Sequence, residues 1–294
     1  VLDKQTVFSS FSEPPKTLDP AQSYSSDSSQ LISQIYEPPL QYNYFLKPYH
    51  LEPLTLRSMP IIKYYDRNQK QQKTASNAKY TTFDFYLKDN IYFQPHPAFA
   101  KNHGNYRYHQ LKKIKINSSF DFSDFKYSAT RKLTAEDYVY QIKRLATPAY
   151  HCPIYSLLAK NIVGFANFHK NIQHDNPEVI WSYLKNHPME GVKAMSPNHF
   201  QIKLYGVYPA FKYWLTMNFF APIPWEAEAF SSTPIMQKKH LGLKWQPIGT
   251  GPFYFKSNNP NKEIILTKNP NYRKEYLTLP NQCSREPCAP FLSI

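Results

Sequence analysis

The residues able to do chemistry lie in patterns that favour ordinary structural roles. His96, His103 and His109 are close together in the sequence, but they lack the helical spacing and nearby carboxylate of a metal site. We interpret them as solvated loop histidines. His151 directly precedes Cys152, and because adjacent side chains usually point apart, the pair does not predict a nucleophile with its base. The sequence therefore predicts no catalytic residue, no metal site and no cofactor.

Glu136 and Asp137 are adjacent acids that resemble a general acid and base only superficially. Neighbouring residues on a helix do not face a common substrate, and no other pair of acids is placed to flank a glycosidic bond. Carboxylates in a first helical turn instead compensate unpaired backbone N–H groups. With Thr134 as the cap, these acids predict a helix that continues to about Leu145.

A basic cluster is the main candidate for binding a polyanion. The chain has 35 Lys and Arg against 21 Asp and Glu, a net charge of +14, which favours acidic partners. The cluster comprises Lys112, Lys113, Lys115, Arg131 and Lys132, with Tyr106 and Tyr108 nearby. A solvated face has the same composition, and no recognised nucleic-acid motif accompanies the cluster. A basic nucleic-acid or polyanion-binding module stays the alternative hypothesis, while no nucleic acid is expected as a partner.

Several other classes are excluded by composition. Only 7 of 294 residues are glycine, and neither a G-x-G-x-x-G run nor a P-loop is present, which argues against nucleotide binding. No apolar run approaches the roughly 18 residues of a membrane-spanning helix. Cys152, Cys283 and Cys288 are too few for a disulfide scaffold, although a Cys283–Cys288 bridge is compatible with their spacing. The chain opens at Val1 without a basic and then apolar leader, so a secretory signal is not expected within it.

Strands and helices alternate along the chain, which predicts a mixed α/β fold. Residues Thr6 to Phe11 predict a first strand, and Asp27 is expected to cap a helix over Ser28 to Tyr36. Alternation from Tyr80 to Lys88 predicts a half-buried strand, which a turn should join to residues 91 to 93 as a hairpin.

Later segments are less regular. Alternation predicts a strand over Phe200 to Leu204, and a Gly249–Pro252 turn precedes two more strands, at 253–256 and 263–267. Residues 64–80 and 100–132 are polar and basic, so we interpret them as surface loops or insertions.

Four segments, in order, resemble the extracellular solute-binding proteins that include the oligopeptide- and dipeptide-binding components of bacterial ABC importers. They are Ser12–Ala21 with Tyr36–Leu40, Tyr80–Phe93, Leu133–Leu145, and Ile248–Phe255 with Lys268–Tyr272. The chain departs from the family after Phe93, where Gln-Pro-His-Pro replaces a His-Asp-Gly turn. Family members are also longer, and the resemblance ends near Tyr276.

The resemblance implies a periplasmic binding protein of the type II class, of which this chain holds the first lobe and largely lacks the second. Residues 1–38 and 208–276 would form the core subdomain of that lobe, and 39–207 an inserted subdomain. The irregular tail 277–294 would stand where the second lobe begins.

The resemblance also implies ligand contacts, at positions that match the family pattern. They are Ser23, Tyr24, Ser25, Ser26, Tyr150, Tyr155, Gly249, Thr250 and Gly251. A short peptide or similar small solute would be held noncatalytically between two lobes and passed to an ABC transporter permease in the inner membrane, from the periplasm. We expect this chain alone to bind weakly or not at all, because affinity depends on enclosure.

Overall fold

The computed structural model describes residues 6–10, 13–109, 122–172, 176–259 and 263–275. The helices in this part of the chain are α1 (Ser26–Ile32), α2 (Ala135–Leu145), α3 (Tyr155–Asn161), α4 (Phe165–Asn171), α5 (Pro177–Asn186), α6 (Phe211–Trp214), α7 (Trp225–Ser231) and α8 (Pro234–Lys238). The strands are β1 (Leu40–Tyr42), β2 (Leu51–Pro53), β3 (Ile61–Tyr65), β4 (Gln71–Gln72), β5 (Tyr80–Tyr86), β6 (Lys101–Asn102), β7 (Asn105–Tyr106), β8 (Val192–Ser196), β9 (His199–Tyr205), β10 (Phe253–Asn259) and β11 (Glu263–Lys268). None of the described helices is long and apolar enough to cross a bilayer.

A five-stranded antiparallel sheet with the order β4-β3-β5-β9-β8 is the largest sheet in the described residues. Its period-two pattern sends Phe83, Phe85 and Phe200 to one face, where the Phe85 and Phe200 rings stack at 4.4 Å and Tyr138 of α2 stacks on Phe200 at 4.8 Å. The opposite face, which we call the polar face, carries Lys63, Thr82, Asp84, Lys193, His199, Gln201 and Lys203. The sheet is therefore apolar towards α2 and polar on its other side.

Helix α2 forms as the sequence predicts. Thr134 and Asp137 make a reciprocal capping box, with Glu136 also in the first turn and basic residues in the last. Almost all of α2 is buried, because it packs against β8 and β9 of the sheet, against α5, and against the segment 218–220. It is the central helix of the described fold.

Two predictions near the N-terminus are wrong. Residues 6–10 form no strand, and Val7 and Phe8 are 58% and 72% exposed; no described strand lies beside them to supply hydrogen bonds or burial. Phe11 lies outside the described residues. Helix α1 is capped by Ser25, not Asp27, and ends at Ile32 instead of Tyr36, because the chain must turn there to bring Ile35 against Gly251.

The strand predicted at 80–88 is confirmed over Tyr80–Tyr86, but it is buried on both faces instead of one, since Thr82 and Asp84 are buried as well as Phe83 and Phe85. The predicted hairpin with residues 91–93 is wrong. β5 pairs with β3 and β9, whereas Tyr92 makes an isolated bridge to Lys132. Asn90 adopts a left-handed φ of 61°, so the chain leaves the sheet at that turn. Alternation identifies a strand but not its neighbours.

The remaining elements largely follow the sequence. β9 confirms the strand predicted at 200–204, and β10 and β11 confirm the two strands predicted after the glycine turn; the structure adds that they pair with each other as an antiparallel hairpin. The segments interpreted as loops contain short strands as well: 64–80 includes the end of β3 and all of β4, and 100–132 includes the β6–β7 pair. The predicted tail at 277–294 lies outside the described residues.

Candidate functional site

The loop after Pro20 is held by its own backbone and by Asp19. The Ala21 N–H donates to Asp19 Oδ1 at 2.9 Å, and the Ser23 N–H donates to the Asp19 carbonyl at 2.9 Å. Ser23 is buried, yet its Oγ has no hydrogen-bond partner among the described residues. Tyr24 is 65% exposed, with its ring 5.9 Å from that of Phe219. A buried free hydroxyl and an exposed ring are thus neighbours.

The next two serines belong to the start of α1. Ser25 Oγ accepts the Ser28 N–H at 3.3 Å and also lies 2.9 Å from Ser28 Oγ. Ser26 is the first residue of the helix. Ser25 therefore has a capping role that fixes the direction in which the preceding loop enters the helix.

A buried ion cluster anchors this loop to the helices. Arg144 of α2 donates to both Asp19 oxygens, at 3.0 and 2.6 Å, and to a Glu228 oxygen of α7. Burial alone would lower the pKa of the Arg144 guanidinium, but the Asp19 and Glu228 carboxylates raise it well above its ordinary value. One cation thus bridges two anions in a nearly water-free setting. We call this group, with Tyr140 and Tyr150, the Arg144 cluster.

Tyr150 belongs to that cluster, whereas Tyr155 does not. The Tyr140 and Tyr150 hydroxyls both donate to Glu228, and burial together with the Glu228 carboxylate raises the pKa of each phenol. The Tyr155 ring contacts Phe165 and His169 at 5.8 and 4.4 Å, which places it in the α3–α4 pair.

The Gly249–Gly251 segment passes very close to the residues that follow α1. A Cβ added to Gly249 would lie 1.9 Å from the Ile35 carbonyl oxygen, and one on Gly251 would lie 2.7 Å from it. The Gly251 N–H donates to the same carbonyl at 2.8 Å. Only glycine fits such an approach, so these residues fix the backbone of the turn.

Thr250 links this turn to a second buried ion pair. Its Oγ1 donates to Glu37 Oε2 at 2.8 Å, and Arg273 donates to both Glu37 oxygens at 2.8 and 2.7 Å. Because α1 has seven residues, about 10 Å of helix separates this turn from the loop 21–25, which we call the serine loop. The predicted site residues thus gather around the two ends of α1, with Tyr155 as the exception.

A family model described as bacterial extracellular solute-binding proteins, family 5 Middle, matches residues 113–280. The chain belongs to this family. It is 26% identical to the periplasmic oligopeptide-binding protein OppA of Salmonella typhimurium over 216 residues, which are 72% of this chain and 35% of that protein.

Solved structures show the same fold at low sequence identity. The oligopeptide-binding protein OppAIV of Borrelia burgdorferi aligns with a TM-score of 0.55 and 17% identity, over 88% of this chain and 38% of that one. Listeria monocytogenes OppA bound to peptide aligns with a TM-score of 0.55 and 14% identity, over 89% and 38%. The predicted mixed α/β binding-protein fold is therefore confirmed, and this family 5 chain spans about a third of the length of these relatives.

The described part of the basic cluster, Arg131 and Lys132, is paired with carboxylates in this family 5 chain. Arg131 is half-buried and lies 2.6 Å from Asp137 and 2.7 Å from Glu226, and Lys132 lies 3.6 Å from Asp89. The three lysines at 112, 113 and 115 lie outside the described residues. The alternative hypothesis is thus unsupported, because the two described cations of the cluster already have carboxylate partners.

Two of the three loop histidines are not solvated, contrary to the prediction. His96 is 2% exposed, its Nδ1 accepts the Ala98 N–H at 3.0 Å, and burial lowers its pKa to about 3. His109 is half-buried, its Nε2 donates to the Ala98 carbonyl, and burial lowers its pKa to about 4. His103 is exposed, as predicted. Aromatic rings, including those of Phe99 and Phe230, surround His96, which composition alone did not reveal.

Cys152 is a structural thiol in this arrangement. It is buried, and burial raises its pKa to about 11. The thiol therefore keeps its proton at neutral pH, whereas a nucleophile needs the thiolate.

Sequence reasoning missed the residues that hold the site together, namely Asp19, Glu37, Arg144, Glu228 and Arg273. In the sequence, Asp19 precedes Pro20 in a segment typical of a turn, and Arg144 lies in the last turn of the predicted helix, where a basic residue is ordinarily favourable. One signal was available: Arg144 follows Tyr140 by one helical turn, within a helix whose other positions are largely apolar or aromatic. A charge on such a helix predicts a buried partner, but not which one.

Proposed function

We propose that the chain supplies one wall of a noncatalytic binding site for a short peptide or a similar small solute. The complete protein would deliver this ligand from the periplasm to an ABC transporter permease in the inner membrane. Family membership supports the proposal, as do the names of relatives: OppA of Salmonella typhimurium is a periplasmic oligopeptide-binding protein, and the Borrelia burgdorferi structure is of an oligopeptide ABC transporter component.

The proposed position of the peptide site depends on one observation. A buried serine hydroxyl without a partner, Ser23 Oγ, lies next to the exposed ring of Tyr24. A buried unsatisfied hydroxyl costs about 1–3 kcal/mol, which a ligand polar group would recover. The adjacent ring offers apolar surface with a hydrogen-bonding tip, which suits peptides of varied sequence.

The other predicted residues support this contact in our proposal. The Arg144 cluster holds the serine loop through Asp19, with Tyr150 positioning Glu228. The turn at Gly249–Gly251 holds the other end of α1, so that the loop presents its groups from a rigid support. Ser25 and Ser26 orient the loop, and Tyr155 would meet ligand only at the periphery.

The proposed domain arrangement is that of two lobes closing on the ligand. Residues 1–38 and 208–276 would form the core subdomain of the first lobe and 39–207 its inserted subdomain. A second lobe would cover the serine loop and exclude water. Such closure would be a hinge motion that ligand binding shifts towards the closed state.

Saturation-transfer NMR tests the proposal, because it detects the weak binding expected of a partly enclosed site. We expect saturation transfer from the protons of the chain to those of trialanine, trilysine or triglutamate at millimolar peptide concentration. Tyr24→Ser should abolish most of it, whereas Tyr49→Ser, at a tyrosine 73% exposed elsewhere, should leave it unchanged.

Ser23→Ala separates binding from folding. Because its hydroxyl is buried without a partner in the free chain, removal should raise the free energy of unfolding by about 1–3 kcal/mol while weakening saturation transfer to the peptides. Saturation transfer to none of the three peptides would refute binding by this chain alone, and equal transfer in the Tyr24→Ser and Tyr49→Ser variants would refute the site.

A further inference from the structure

The polar face of the sheet brings cationic side chains into register across four strands. Lys63, Thr82 and Lys203 are direct partners across β3, β5 and β9, and the adjacent row continues from Asp84 through Gln201 to Lys193 of β8. Directly paired residues of antiparallel strands share a face. The register therefore places three lysines and one aspartate on the same surface.

Asp84 neutralises only one of these lysines. Its Oδ2 lies 3.0 Å from Lys63 Nζ, while its Oδ1 accepts from Gln201 Nε2 at 2.9 Å and from His199 Nε2 at 2.8 Å. Burial acts to raise the pKa of Asp84, but hydrogen bonds from Gln201, Lys63 and His199 lower it overall. The carboxylate is therefore ionised at neutral pH, and Lys63 is the one of these three lysines with which it forms an ion pair.

Lys203 and Lys193 have no carboxylate partner among the described residues. Lys203 Nζ donates to Gln69 Oε1 at 2.6 Å and lies 4.3 Å from the centre of the Tyr80 ring. These neutral contacts orient the ammonium group without cancelling its charge. Lys193 is exposed at the edge strand β8. Neither ammonium group thus has a carboxylate within ion-pair distance among the described residues.

Both lysines line one concave pocket of about 220 Å³. Gln201 and Thr82 also line it, and Thr82 is 4% exposed with no hydrogen-bond partner for its Oγ1. Exposed Glu190 lies at the pocket as well, without an ion pair in the described residues. The volume is below the roughly 300 Å³ at which sites for drug-sized ligands begin, so the pocket suits a small ligand.

We propose that this pocket binds a small oxyanion, a phosphate or carboxylate group, between Lys193 and Lys203. Charge-assisted hydrogen bonds from the two ammonium groups would hold the anion, and the Gln201 amide and Thr82 hydroxyl would be neutral donors to it. Glu190 opposes the anion and limits its affinity. The pocket lies on β5, β8 and β9, separate from the serine loop at α1. The oxyanion proposal is therefore independent of the proposed peptide site.

Isothermal titration calorimetry with pyrophosphate and with citrate, at constant ionic strength, tests the proposal. We expect saturable binding, weakened about tenfold by Lys193→Gln or Lys203→Gln, since each removes one charge-assisted hydrogen bond. Glu190→Gln should tighten binding a few-fold, because it removes a repulsive charge. Lys238→Gln, at an exposed lysine of α8, should change nothing.

The two probes separate the sources of the oxyanion. Binding of pyrophosphate alone assigns the site to phosphate groups, binding of citrate alone to carboxylates, and binding of both to oxyanions in general. No saturable binding of either probe would overturn the proposal. So would a loss in Lys238→Gln as large as that in Lys203→Gln, since binding would then follow net charge alone.

Discussion

The Arg144 cluster and the polar face of the sheet both gather charged side chains, but they differ in enclosure and in balance. The side chains of Arg144, Asp19 and Glu228 are 1%, 7% and 6% exposed, with two anions around one cation. On the polar face Lys63 is 35% exposed and paired, while Lys193 and Lys203 lack carboxylate partners among the described residues. The Arg144 cluster is thus enclosed and its charges are paired with one another, whereas the polar face has two lysines without an ion-pair partner in the described residues.

This difference separates charges that fix the fold from charges available to a ligand. A buried ion cluster is expensive to disturb, because removing one member leaves its partners unsolvated and unpaired. An exposed lysine is solvated with or without a partner, so its removal changes stability little. Substitutions in enclosed and in open parts of the chain should therefore differ sharply in their effect on unfolding.

Arg144→Met should produce the largest loss. It retains much of the side-chain volume but leaves Asp19 and Glu228 buried without their cation, which we expect to lower the free energy of unfolding by about 3–5 kcal/mol. Urea denaturation followed by circular dichroism measures the change. Arg57→Met is the matched control, because Arg57 and Asp89 form an ion pair at 2.6 Å with both side chains more than half exposed; its loss should stay below about 1 kcal/mol. Equal losses would remove the distinction between the two regions.

Gly249→Ala should come next, with a loss of about 3 kcal/mol. Its new Cβ would lie 1.9 Å from the Ile35 carbonyl oxygen, and a backbone atom cannot move aside cheaply. Gly206→Ala, at the end of β9, separates packing from backbone strain. Gly206 has a φ of +59° but nothing within 4 Å of an added Cβ, so only about 1 kcal/mol should be lost. If the two variants lose the same amount, close approach is not what fixes the turn after α1.

Local sequence signals predicted those elements that local interactions specify. Thr134 and its first-turn acids define α2 within one turn of chain, and alternation defines β5 and β9. The same alternation did not show that β5 pairs with β9, because strand pairing depends on segments more than 100 residues apart. Thr6 to Phe11 has strand composition but no strand beside its described residues, so composition alone was misleading there.

The candidate site shows the same limit more sharply. The resemblance to the family indicated the loop at Ser23 to Ser26. It could do so because the order of the family's motifs is recognisable even at low sequence identity. The partners that hold this loop are distant in sequence: Arg144 is 125 residues from Asp19 and 84 from Glu228. No periodicity links such positions, so the ion cluster became visible only in three dimensions.

His96 adds a pH-dependent test of enclosure. Burial lowers its pKa to about 3 from an ordinary value of 6.5, so the folded chain keeps it neutral while the unfolded chain binds a proton. Its contribution is complete above pH 6.5 and declines as pH falls towards 3, by about 1.4 kcal/mol per unit, or about 2 kcal/mol at pH 5. His96→Asn keeps an acceptor for the Ala98 N–H but cannot titrate, so the difference in unfolding free energy between the two proteins should narrow by that amount from pH 7 to pH 5. His109 is present in both proteins, so its own titration enters both; its charge also lowers the pKa of His96 and so acts in the same direction as burial. A difference that does not change with pH would mean that His96 is protonated when folded.

Lys193→Gln and Lys203→Gln should have the smallest effect, which makes them the sharpest test of the open region. Neither lysine has a carboxylate partner among the described residues, so neither substitution leaves a carboxylate unpaired. Each should therefore change the free energy of unfolding by less than about 0.5 kcal/mol. Urea denaturation repeated with pyrophosphate at about one hundred times its dissociation constant should stabilise the unsubstituted chain by about 2.7 kcal/mol. The same pyrophosphate concentration should stabilise the variants about 1.4 kcal/mol less, if their affinity is tenfold weaker. A large loss without pyrophosphate would show that these lysines hold the fold, as Arg144 does, and the contrast between the two regions would disappear.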